Sequence, residues 1–135
     1  MDDHVESFRR QYNGTCLNIC ARKLFDRTAL LRIFCEIIEA TKPLDESKIL
    51  LDLQDTHCDL ELDDLVALKV ELRSYPSTAL SKIKLAMVTI RHPNQYDRLR
   101  LLMLPLSQLG IGVALFYETA RAIDWLAQET NQRSC

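Results

Sequence analysis

Glycine is scarce: the 135 residues contain three, Gly14, Gly110 and Gly112, where average usage would supply about nine. Loops that cradle phosphate need clustered glycines to bring backbone N–H groups close to the ligand. Neither GxGxxG nor GxxxxGK(S/T) can be written in this sequence, which excludes those two nucleotide-binding devices. An excess of either charge is also lacking. Seventeen basic residues stand against nineteen acidic ones, for a net charge of -2, and the longest basic runs are the pairs Arg9-Arg10 and Arg22-Lys23. No nucleic-acid partner is expected from such a balance. No window reaches the roughly 18 apolar residues that a membrane span needs. The opening Met1-Asp2-Asp3-His4 is acidic and does not read as a signal peptide. An integral membrane segment is therefore not expected, and a cytoplasmic protein is. The five cysteines, Cys16, Cys20, Cys35, Cys58 and Cys135, are odd in number and read as reduced thiols. Their spacing lacks the paired ligands of a zinc site, so neither metal nor cofactor is expected.

What the chain does have is alternation between strand-like and helix-like segments. Asn13-Gly14 is the signature of a two-residue hairpin turn. It joins strand-like Val5–Gln11 to Thr15–Ala21. Asp26 is a candidate N-cap for a helix whose apolar positions Leu30, Leu31, Phe34, Ile37 and Ile38 recur at helical spacing. Ile49-Leu50-Leu51-Asp52-Leu53 is a short, nearly continuous apolar run, as in a strand covered on both faces. A second helix carries Leu62, Leu65, Leu68, Leu72 and Tyr75. A third core strand spans Lys82–Ile90, and a third helical stripe runs through Tyr96, Leu99, Leu102, Met103, Leu106 and Leu109. Pro105 should bend or split that helix, and Gly110 suits the position just past its end. Ile111–Tyr117 is the last strand. Thr119 is a candidate cap for a final helix built on Ala122, Ile123, Trp125 and Leu126.

The pattern predicts one α/β domain over residues 1–135 in the order ββαβαβαβα, with frayed tails at residues 1–3 and 130–135. Its sheet is mixed but mostly parallel, with an N-terminal antiparallel hairpin. If each strand adds on the same side, all the helices cover one sheet face. Ala86, Val88, Ala114 and Phe116 then leave an apolar second face. Either another part of the chain covers it, or it is a dimer interface or ligand site.

No catalytic constellation emerges. There is no GxSxG turn. His57 and Cys58 are adjacent, and neighbours on an extended chain point apart. The acidic stretch from Asp52 to Asp64 leaves the C-terminal end of a core strand, where parallel sheets bind ligands. It lacks the calcium-loop pattern and its glycine, and acids at a helix start also serve the helix dipole.

Three segments together resemble the STAS-like proteins related to stage II sporulation protein AA, an anti-sigma-factor antagonist of bacteria. They are the strand Ile49–Leu53 with its Asp52, the strand Lys84-Leu85-Ala86-Met87-Val88, and the run Gly110-Ile111-Gly112-Val113-Ala114-Leu115-Phe116 followed by Ala120, Ala122, Ile123, Trp125 and Leu126. The resemblance implies a non-enzymatic regulatory or protein-interaction module. In that family the turn before the second helix carries a serine that becomes phosphorylated. Here Asp59-Leu60-Glu61-Leu62-Asp63 holds that place, with no serine, and Thr56 is the nearest hydroxyl. Mapped by position, the expected partner-binding surface is Thr56, Cys58, Asp59, Glu61, Asp63 and Asp64. A protein partner is expected, and a homodimer is compatible with the uncovered sheet face. The alternative is an apolar small molecule or lipid held in a cavity between sheet and helices, lined by Leu102, Met103 and Phe116.

Overall fold

The computed structural model of the chain describes residues 8–12, 16–43 and 47–128. The Asn13-Gly14 turn and both expected frayed tails lie outside them. The elements are β1 (Phe8–Tyr12), β2 (Leu17–Phe25), α1 (Arg27–Thr41), β3 (Ser47–Cys58), α2 (Leu62–Leu72), α3 (Ser77–Ser81), β4 (Ile83–Val88), α4 (Pro93–Gln108), β5 (Gly112–Phe116) and α5 (Thr119–Ala127). Strands β2 to β5 form a four-stranded parallel sheet in chain order. β1 lies antiparallel along the outer edge of β2, with Phe8 opposite Ala21 and Tyr12 opposite Leu17. The short helix α3, anchored by buried Leu80, is an element that the expected order omits.

The period-2 alternation of the strands divides their side chains between two cores. Ile19, Ile49, Leu51, Leu53, Leu85 and Met87 point to one face. They pack there with Leu30, Phe34 and Ile37 of α1, Leu68 and Leu72 of α2, and Leu99, Leu102 and Leu106 of α4. Leu50, Ala86 and Val88 point to the other face, where Ala122 and Leu126 of α5 cover them, with Phe116 and Trp125 at the margin. The second sheet face is therefore covered from within the chain by α5. It is not an open apolar surface, and the helices do not all lie on one side. This two-sided burial explains why Ile49–Leu53 reads as an almost unbroken apolar run.

Local polar bonds set the ends of the elements. Asp26 caps α1, its Oδ1 accepting from the Ala29 N–H at 3.1 Å. Along β2 and β3 the register slips: Cys20 pairs with Asp52 but Arg22 with Asp55. The irregular stretch of β3 is held by its own side chains. Asp52 Oδ1 accepts from the Gln54 N–H at 3.0 Å, and Thr56 Oγ1 donates to the Leu53 carbonyl at 2.7 Å. Such side-chain bonds offer the backbone an alternative to the regular ladder, and β3 continues past its apolar run as far as Cys58.

α4 keeps Pro105 inside one continuous helix, so of the expected bend or split, the split does not occur. Only three helical residues follow the proline. The helix then closes on Gly110, at φ +98°, whose N–H donates to the Ser107 carbonyl while the Ile111 N–H donates to that of Leu106. This is the paired closure that glycine favours just past a helix end. α5 begins at Thr119 with Glu118 as its cap residue, one position before the cap expected from the sequence.

Lys84 holds α5 to the sheet. Its Nζ donates to the Trp125 carbonyl at 2.7 Å and to the Gln128 carbonyl at 3.2 Å, and it lies 4.6 Å from the centre of the Trp125 ring. A cation at a helix C-terminus satisfies carbonyls that have no partner within the helix. Replacing Lys84 with Met keeps the aliphatic stem and removes the charge. We expect about 1–2 kcal/mol of stability to be lost, with red-shifted emission from Trp125, the only tryptophan. Unchanged emission and an unchanged urea midpoint would show that Lys84 does not hold this helix.

Candidate functional site

The residues expected to form a partner surface divide into three groups. Thr56 and Cys58 are among the last three residues of β3 and are buried. They belong to the core side of the sheet end and not to an exposed turn. Asp59, Glu61 and Asp63 are exposed. Asp64 is occupied: its Oδ2 accepts from the Glu61 N–H at 2.8 Å and its Oδ1 from Arg27 Nε at 2.8 Å. It thereby closes the first turn of α2 and ties it to the start of α1. Desolvation raises the Asp64 pKa, but the Glu61 N–H and Arg27 outweigh it and hold the carboxyl below its ordinary value. Asp64 is thus a structural residue, and charge reversal there would disturb the fold as well as the surface.

Gln95, a polar residue in the first turn of α4, shapes this end of the sheet. It is buried, and its carboxamide meets both neighbouring strands. Oε1 accepts from the Cys58 N–H at 2.9 Å, while Nε2 donates to the Thr56 carbonyl at 3.0 Å and lies 3.4 Å from Thr89 Oγ1. Arg98, one helical turn further on, donates to the Leu60 carbonyl. Together they fix residues 56–60 and so set where α2 begins. Sequence reasoning missed Gln95, because a single glutamine on a helix gives no periodic signal.

No catalytic pair forms at this end of the sheet. His57 is exposed and Cys58 buried, as alternation on a strand requires. Burial pushes the Cys58 thiol up to about 11, more than the Leu60 backbone bond and Arg98 pull it down, so it stays protonated near neutral pH. Among the described residues no group of three or more His, Cys, Asp or Glu side chains is placed to hold a metal ion, and no helix is long and apolar enough to cross a membrane.

The expected ligand-lining residues are not brought together. Leu102 is fully buried in the larger core and Met103 packs against it, whereas Phe116 packs in the smaller core on the other sheet face, 5.9 Å from the Trp125 ring. Met103 also lines a groove of about 800 Å³ between α4 and β5, together with Ala114 and Leu115.

The surface itself offers an apolar ridge, of which the sequence pattern assigns Leu62 to the core. α2 carries two helical stripes. Leu65, Leu68 and Leu72 are buried, while Leu62, Val66 and Val70 are 68%, 61% and 62% exposed. On α4, Leu101, which shares a cleft with Leu62, and Leu104, which lines a groove toward β5, are 52% and 60% exposed. A cleft of about 470 Å³ between the two helices is lined by Leu62, Leu65 and Leu101, with Glu61, Asp97 and Arg98 at its rim.

No family model matches the chain, and no curated protein does. Among solved structures it is similar to an uncharacterised protein of the DUF3478 family from Shewanella loihica PV-4 described as having a SpoIIAA-like fold. The two share 15% identity and a TM-score of 0.55 over 94% of this chain and 99% of that one. The chain has a SpoIIAA-like fold. At that identity the likeness concerns the fold and leaves function to the residues.

Replacing Gln95 with Leu would leave the Cys58 N–H and the Thr56 carbonyl buried without partners. The expected cost is about 2–4 kcal/mol in urea unfolding. A loss below about 0.5 kcal/mol would mean that this clasp does not hold the sheet end.

Proposed function

We propose that the protein is a non-enzymatic, cytoplasmic interaction module of the STAS-like type, docking another protein through α2, the turn before it and the adjoining face of α4. One observation carries the reading: large aliphatic side chains are concentrated outside the core on this face. Of the eight exposed large hydrophobic residues among those described, five are Leu62, Val66, Val70, Leu101 and Leu104. Single exposed aliphatic residues are ordinary, but a contiguous group rimmed by charge marks a contact surface. Because Thr56 is buried and bonded to the Leu53 carbonyl, and the turn has no serine, docking here is proposed to be independent of phosphorylation of that turn.

The double variant Leu62→Glu and Val66→Glu places charge on the ridge without touching the core stripe. Its thermal unfolding should stay within about 0.5 kcal/mol of wild type, while capture of partner protein by the immobilised domain should fall at least about tenfold. Capture equal to wild type would rule this face out.

A further inference from the structure

We infer that the partner on the α2–α4 face is a second copy of this chain, related by a two-fold axis that passes close to Val66. This rests on the docking reading above and names its occupant. An isologous interface must be self-complementary, so that each feature meets its counterpart from the opposite end. The apolar stripe meets that condition. Leu62, Val66 and Val70 are spaced four apart, so an antiparallel copy centred on Val66 sets Leu62 against Val70 of its mate at both ends. The charges meet it as well. Glu61 lies at the start of α2, and Asp97 lines the same end of the cleft. Lys69 and Arg73 lie at the other end of the helix, the former reaching Gln108 at the far end of α4 at 2.9 Å. None of these four side chains forms an ion pair among the described residues.

Turning one copy end over end about Val66 sets exposed Asp63 level with Lys69 of its mate, while Glu71, level with Glu61, lies near Tyr75 and Glu39 on the α1 side of the helix. Arg98 is the one cation at the acidic end of the cleft, and its guanidinium donates to the Leu60 carbonyl. A parallel arrangement would set like charges together at both ends. An anionic membrane would meet Glu61 and Asp97 with repulsion. Leu101 and Leu104 extend the apolar area beyond the stripe, so the paired face spans two helices from each copy.

The test uses the intact chain in two charge-reversed forms. Wild type should sediment near twice its monomer mass of 15.6 kDa at about 100 µM and dissociate more readily as salt is raised. Variant Asp63→Lys with Asp97→Lys places cations at both ends, and variant Lys69→Glu with Arg73→Glu places anions at both ends. Each alone should weaken dimerisation at least about tenfold. An equimolar mixture of the two should restore a heterodimer, because both ends then pair opposite charges. Circular dichroism of each variant establishes that it is folded, and Val66→Glu should give a folded monomer. A monomeric wild type, or a mixture no more dimeric than its components, overturns the proposal. If wild type is monomeric and the Leu62→Glu, Val66→Glu variant still loses partner capture, the docking face stands and only the second copy is wrong.

Discussion

Burial of the central strands on both faces is the constraint from which the rest follows. β3 and β4 send alternate side chains into two separate cores, so their central residues, Leu50, Leu51, Ala86 and Met87 among them, need cover on two sides. α1, α2 and α4 supply one cover and α5 the other. Nine residues of α5 suffice because the second core is small. Leu50, Ala86 and Val88 meet Ala122 and Leu126, and Lys84 fastens the helix end by its carbonyls. Exposed apolar area is left on the outer sides of α2 and α4.

Gln95 links this packing to the surface. Its side chain binds the ends of β3 and holds that strand beside β4. Asp64, bonded to Arg27 and to the Glu61 N–H, sets the first turn of α2. These polar contacts, buried at Gln95 and exposed at Asp64, decide which stripe of α2 faces inward. Leu65, Leu68 and Leu72 enter the core, and Leu62, Val66 and Val70 are turned out. The ridge is thus a consequence of where α2 starts and how it is rotated, with its acids near one end and its bases near the other.

Much of this fold was legible in the sequence. The apolar run at Ile49–Leu53 and the stripe from Leu30 to Ile38 each have one solution in the hydrophobic periodicity, and Gly110 marks a helix end by its conformational freedom. The site was far less legible. α2 contains two apolar stripes offset by one helical position, and periodicity alone cannot choose between them; Leu62 was assigned to the wrong one. Thr56 and Cys58 read as turn residues because β3 outruns its apolar run, carried past Leu53 by the side-chain bonds of Asp52 and Thr56. The cover over the second sheet face was equally hidden, since a C-terminal helix with Ala122, Trp125 and Leu126 can lie on either side of the sheet. Gln95 gave no sign at all, because its role exists only once α4 stands against the ends of two strands.

Site-specific photocrosslinking in the cell tests the central claim, that the α2–α4 face is covered by protein, most directly. A photoreactive residue replaces Val66 in one strain and Asp124, exposed on the outer side of α5, in another. Docking on the ridge predicts a discrete higher-mass product from position 66 and none from position 124. A product from position 124 alone, or equal products from both, would contradict it.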